Sequence, residues 1–283
     1  MSDPASHDDA RIYDQGYRPF DGSLASVRSR FWVISIHELR LAWKDKWFRR
    51  IVLGSFMPLV VFAVLTVIKA RFSMMLDADL EIWRPFWGIQ LFFAMLMVYF
   101  TGRNAVGEDL RSGALTVYFS RPVSFSQYLL GKWLAIAVAV LSVTLLPGFV
   151  LAVFTWLADP YVGALKMAAW TGGLALAAVC LCLATGWVML AISSLTGRGR
   201  AAGIVWLILF FVSVPLAEGL ARGAGFGELQ ALAFPRASEL LTGYLLEGRG
   251  SLAGAAWMLL GQLLWAAAGA TVVLFRLRRW VRA

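Results

Sequence analysis

The side chains able to do chemistry in this chain are few, and most stand in one stretch. Glu108, Asp109 and Arg111 are followed within a dozen residues by Leu115, Val117, Tyr118 and Phe119. Charge at one end and exposed aromatics at the other describe a surface that buries itself against a partner, or a solvated charge cluster. They do not describe a catalytic centre. There are two histidines, His7 and His37. His37-Glu38 would open an HExxH zinc motif, but Leu41 stands where the second histidine is needed. Gly131-Lys132 ends like a phosphate-cradling GxxxxGK[ST] loop. It is followed by Trp133, and no glycine stands five residues before Gly131. The chain therefore has no P-loop with which to hydrolyse ATP. Cys180 and Cys182 are two apart on a helical run, so they point apart and read as small packing residues.

Of the 283 residues, 60% are hydrophobic and 15% charged, and the mean hydropathy is +0.70. A water-soluble fold of this size cannot hide so much apolar surface, so lipid is its solvent. The expected fold class is an all-α integral membrane protein with six transmembrane helices. The spans run from about Ile51 to Ile68, Pro85 to Thr101, Tyr128 to Leu157, Ala168 to Leu195, Ala202 to Ala221 and Leu252 to Phe275. No barrel alternation is visible, and unpaired backbone is too costly in lipid for anything but helices.

The net charge is +9, with 26 basic and 17 acidic residues. The positions of the basic residues argue against nucleic acid, because they sit at span borders. Nineteen lie on one side of the expected bundle and seven on the other. The richer side is cytoplasmic by the positive-inside rule, which places both termini inside. No cleavable leader is expected, since the first 30 residues have no apolar core. Polar groups within the spans are Gln90, Glu218 and Gln262. They are candidates for a substrate path, though so small a set argues against a proton- or sodium-driven carrier. Ala168, Gly172, Ala175, Cys182 and Gly186 mark the fourth span for close helix packing.

The elements that position these groups follow. Residues 1–50 form a cytoplasmic segment, and 51–283 the transmembrane domain. From about Ser26 to Phe48 the chain reads as a helix. Trp32, Ile36, Leu39, Trp43 and Trp47 share a face roughly 80° wide, which suits an amphipathic helix in the membrane interface. Ile34 and Leu41 fall on the opposite face. The loop 102–127 reads as a short helix across the membrane face, with Gly113 allowing a bend and Pro122 ending it. Ser124 and Gln127 have capping-box spacing for the next helix. The outer region 222–251 is expected to carry a short helix, 237–246, and either to fold back onto the bilayer surface or to serve as an outer gate or a cap on the bundle.

Several of these stretches resemble one family. Glu108-Asp109, Arg111-Ser112-Gly113-Ala114-Leu115, Tyr118-Phe119-Ser120-Arg121-Pro122, Pro122-Val123-Ser124 and Tyr128-Leu129-Leu130-Gly131-Lys132 look like the first cytoplasmic loop of ABC-2 type permeases. These are the membrane subunits of ATP-binding-cassette exporters. Ala114 and Thr116 depart from the family pattern, which has Thr and Glu there. The six-span layout, the amphipathic N-terminal helix, Gly16–Gly22 and Ser193-Ser194-Leu195-Thr196 resemble the family too.

The resemblance implies that the loop is a coupling helix docking on a separate ATPase subunit. Glu108, Asp109, Arg111, Gly113, Leu115, Tyr118, Phe119 and Arg121 would form the docking surface. The chain itself would bind no cofactor; ATP and magnesium would belong to the partner. Two copies, or this chain and a paralogue, would pair in a bacterial inner membrane. The competing reading is a membrane anchor or assembly scaffold that recruits a cytosolic partner without transport. A membrane enzyme is remote, since the catalytic groups are missing.

Overall fold

The computed structural model describes residues 30–72, 82–120, 123–159 and 162–282. Residues Ser26–Ser29, Arg121 and Pro122 therefore lie outside the described residues. Eleven α-helices and no strand are found among those described: α1 (Arg30–Lys44), α2 (Lys46–Gly54), α3 (Met57–Phe72), α4 (Trp83–Gly102), α5 (Gly107–Ser112), α6 (Ala114–Phe119), α7 (Phe125–Ala158), α8 (Ala164–Thr196), α9 (Gly199–Ala224), α10 (Phe234–Glu247) and α11 (Leu252–Arg282). A 3-10 helix, Gly227–Leu232, joins α9 to α10. Six segments are long and apolar enough to cross a membrane: Lys46–Arg71, Trp83–Ser112, Phe125–Ala158, Ala164–Thr196, Gly199–Ala224 and Leu252–Trp280. Each contains one of the six expected spans.

The first span is broken. Pro58, near the start of α3, has no N–H to give the carbonyl one turn back, so the helix restarts at Met57. The break buries Ser55, and Gln90 Nε2 of α4 donates to its carbonyl at 3.0 Å. Gln90 thus satisfies a buried backbone group that the kink leaves over, as backbone away from water requires.

α8 is the hub, with 72% of its most apolar stretch buried, against 17% for both the first span and α9. Small residues let its neighbours approach, and the packing face matches the expected one only in part, at Cys182 and Gly186. Ala168 and Gly172 are exposed, whereas Gly173, Ala177, Ala178, Cys182, Ala184 and Gly186 are buried. Trp133 of α7 covers Gly186 so closely that a Cβ there would meet its ring at 2.7 Å.

The N-terminal helix differs from the expected continuous run to Phe48. It stops at Lys44, and the Asp45 side chain accepts from Trp47 N at 2.8 Å to cap α2. Ile34, the residue out of phase with the aromatic face, is buried, while Trp32, Ile36, Trp43 and Trp47 are exposed. Gly131 explains this: a Cβ there would lie 2.8 Å from both Ile34 Cβ and the Phe31 carbonyl. α1 crosses α7 at that glycine, so its bundle-facing side is the Ile34 side and its aromatic side faces away.

The expected short helix, 237–246, lies within α10. α10 packs against α4, α8 and α11, and Phe234, Ala237, Ser238 and Leu241 are fully buried. Tryptophans fasten it. Trp87 Nε1 donates to Ser238 Oγ at 2.9 Å, Trp170 Nε1 to the Leu246 carbonyl at 3.0 Å, and Trp265 Nε1 to the Leu232 carbonyl at 2.9 Å. Trp206 stacks on Phe234 with centroids 5.5 Å apart. Buried indoles here hold both an apolar contact and a hydrogen bond.

Candidate functional site

The loop between α4 and α7 begins where α8 ends. Ser193 Oγ accepts from the N–H groups of Val106, at 3.2 Å, and Gly107, at 3.0 Å, and donates to the Arg103 carbonyl at 3.1 Å. One buried hydroxyl thereby closes the end of α4 and caps the start of α5, where four N–H groups need outside partners. Gly107 is required at this contact, since a Cβ would stand 2.5 Å from the Ser193 carbonyl. α5 and α6 meet at Gly113, whose φ of 72° is left-handed and suits glycine. Ser124 then opens α7 with the expected reciprocal cap: Gln127 N donates to Ser124 Oγ at 3.3 Å, and Ser124 N to Gln127 Oε1 at 3.2 Å.

The two adjacent acids part company. Glu108 faces outward and pairs with Arg111 at 2.8 Å, with both side chains well exposed. Asp109 faces inward, its side chain 16% exposed. Its Oδ2 accepts from Tyr128 OH at 2.7 Å and lies 2.8 Å from Lys132 Nζ. Lys132 is buried to 3% and also reaches Glu38 Oε1 at 2.7 Å. One ammonium with three donors thus joins carboxylates from α1 and α5 to its own helix α7. The cluster is a clasp between elements.

The apolar end of the loop is turned inward as well. Leu115 is fully buried. Phe119 packs on Phe125 at 4.2 Å between centroids, and Tyr118 on Tyr128 at 5.3 Å. Burial pushes the Tyr118 phenol above its ordinary pKa, so it stays neutral near pH 7. Glu108, Arg111, Ser112, Thr116, Val117 and Ser120 form the outward side, and Val117 is 62% exposed.

Of the residues expected to dock a partner, Glu108 and Arg111 are presented outward and Gly113 makes the turn. Asp109 and Leu115 face the interior, Asp109 beside Lys132 and Leu115 fully buried. Tyr118 and Phe119 support the loop more than they display it. Sequence reasoning passed over Val117 as an outward contact and Glu38 as a partner of the loop. A lysine at the apolar start of a long helix was the one available signal, because a buried ammonium demands an acid.

The polar residues of the spans do not converge. Gln90 holds Ser55, as above. Glu218 is in an ion-pair chain toward the C-terminal end of α9, 3.0 Å from Arg222 and 3.3 Å from Arg236. Arg236 continues to Glu239 at 2.8 Å, and Glu239 to Arg84 at 2.8 Å. Gln262 is fully buried on α11, and among the described residues neither of its amide atoms has a hydrogen-bond partner.

The comparison with curated proteins returned no match. The family model described as ABC-2 family transporter protein matches residues 32–241. That range runs from α1 through the α5–α6 loop and five spans into α10. A match over well over half of the 283 residues, on a bundle of six spanning helices, shows that the chain belongs to the ABC-2 family of transporters and is a membrane permease subunit of an ABC transporter.

Proposed function

We propose that α5 and α6 are the docking element through which a separate ATPase subunit drives this permease, and that the direction of transport is export. One observation carries the reading. An outward face of Glu108, Arg111, Thr116 and Val117 rides on a base clasped to three bundle elements: α1 through Glu38, α7 through Lys132 and Tyr128, and α8 through Ser193. A push on that face is delivered to all three, because packed, fully hydrogen-bonded elements move as units.

In this reading the side bearing α1, the loop and the end of α11 is cytoplasmic, as its excess of Lys and Arg supports. The aromatic side of α1 lies in the inner membrane interface. ATP and magnesium are held by the partner, and two permease chains, identical or paralogous, assemble with two ATPases. A bacterial inner membrane is the proposed location. The test is co-expression with the cognate ATPase, followed by co-purification and ATP-dependent substrate movement in oriented vesicles. Wild type should retain the ATPase and move substrate outward. The paired substitution E108K/V117D, on the exposed face, should lose both. Retained ATPase with no substrate movement under any condition would favour a scaffold.

A further inference from the structure

A second charged site lies beside the loop, on its α11 side. A cavity of about 670 Å³ opens between the start of α5, the end of α8, the start of α9 and the last turns of α11. Arg111, Arg198, Arg276 and Arg279 line it, together with Leu195 and Trp280. Arg111 is neutralised by Glu108. Among the described residues no carboxylate is in ion-pair range of Arg198, Arg276 or Arg279. Arg198 is the N-cap of α9 and offers no side-chain cap, so the first N–H groups of that 26-residue helix add their partial positive charge. Among the described residues, three guanidiniums without a carboxylate partner line this space, and the start of α9 adjoins it.

We propose that this cavity binds the headgroup of an anionic glycerophospholipid through its phosphodiester. Arginine forks match phosphate oxygens two at a time, and basic pockets between spans at the cytoplasmic border suit acidic headgroups. Lipid is favoured over an acidic protein surface by what surrounds the charges. Arg276 and Arg279 directly follow the apolar run of α11. Phe275 is 61% exposed beside them, with the Arg279 guanidinium 5.5 Å over its ring. Leu195 is equally exposed on the α8 wall. The guanidiniums thus crown bare apolar side chains at span ends, where acyl chains lie, and Trp280 stands at the same level as an interfacial anchor. The site neighbours the docking face but does not depend on it, since the unmatched arginines belong to α9 and α11.

The experiment uses the full chain purified in a neutral detergent. Thermal stability and native mass spectrometry are read with phosphatidylglycerol, with phosphatidylcholine of the same acyl chains, and with inorganic phosphate. Phosphatidylglycerol should raise the melting temperature and remain bound, while the other two should do neither. R198Q/R276Q/R279Q should weaken phosphatidylglycerol binding about a hundredfold, with its melting temperature in phosphatidylcholine unchanged. R49Q/R50Q, which removes as exposed a pair of charges elsewhere, should bind as wild type. If the triple variant is not folded in phosphatidylcholine, R276Q alone is read by the same comparison and should bind several-fold more weakly. Equal effects of both lipids, undiminished phosphatidylglycerol binding by the variants, or an effect of free phosphate equal to that of the lipid would each overturn the proposal. So would loss of ATPase co-purification with lipid binding intact, which would assign the arginines to an acidic protein surface.

Discussion

Lys132 Nζ lies 2.8 Å from Asp109 Oδ2 and 2.7 Å from Glu38 Oε1. One buried ammonium therefore joins α1, α5 and the third span. Each partner is far along the chain from the others, so the contact is a product of the tertiary fold. The geometry ties α5 to α7 a second time, because Tyr128 OH donates to the same Asp109 carboxylate at 2.7 Å.

Replacing Lys132 by Met leaves two carboxylates near the interior with no cation. Breaking a buried pair from one side typically costs about 3–5 kcal/mol. The K132M protein should melt well below wild type in detergent, and the triple variant E38Q/D109N/K132M should recover part of the loss. A K132M protein as stable as wild type would show that the clasp carries no energy.

Glu108 and Asp109 should behave as different kinds of residue. E108K, on the exposed face, should weaken retention of the ATPase with little change in melting temperature, since exposed charges contribute little to stability. D109N should lower the melting temperature by weakening the hold on Lys132. The matched measurements are co-purification and thermal unfolding of each single variant. An E108K protein that keeps the ATPase at wild-type level would count against docking through this face.

Ser193→Ala removes the acceptor for two buried N–H groups and the donor for one carbonyl. A buried donor left unpaired costs about 1–3 kcal/mol. Amide exchange should therefore quicken at residues 106–110 in S193A, while α7 exchanges as before. Unchanged protection at 106–110 would mean that other groups anchor α5.

Gly131→Val places side-chain atoms where α1 crosses, against Ile34 and the Phe31 carbonyl. Overpacking of this kind costs about 1–3 kcal/mol. Protease cleavage near Lys44 should speed up in G131V, because α1 can no longer seat on α7. Cleavage at the wild-type rate would argue that α1 is held by other contacts alone.

Orientation is tested by reporters. A cytoplasmic reporter should be active when fused after Ala283, and a periplasmic one when inserted near Glu228 in the 3-10 helix. Both positions reporting the same side would contradict a six-span path with both termini inside.

Much of this protein is decided by properties that reside in short stretches of sequence. Runs of about 20 apolar residues must be helical in lipid whatever surrounds them, so all six spans were legible. The Ser124–Gln127 cap and the Gly113 bend were legible for the same reason: each depends on neighbours within a few residues. The facing of adjacent residues was not. Neighbours on a helix differ by about 100° in direction, and nothing near Glu108 and Asp109 says which turns inward. That is settled by Lys132 and Glu38, brought there by the crossing of α1 over Gly131. The same one-residue phase separates the exposed Gly172 from the buried Gly173 on α8. Likewise the outer segment is moderately apolar by composition, and its place in the bundle rests on distant partners: indole hydrogen bonds from Trp87, Trp170 and Trp265, the Trp206–Phe234 stack and the Arg84–Glu239 pair. The sequence by itself determined a six-span helical membrane protein with a charged loop, because hydropathy and capping act locally. Tertiary structure alone decided which charges face outward and which form the clasp, because an inward acid is stable only where a distant cation meets it.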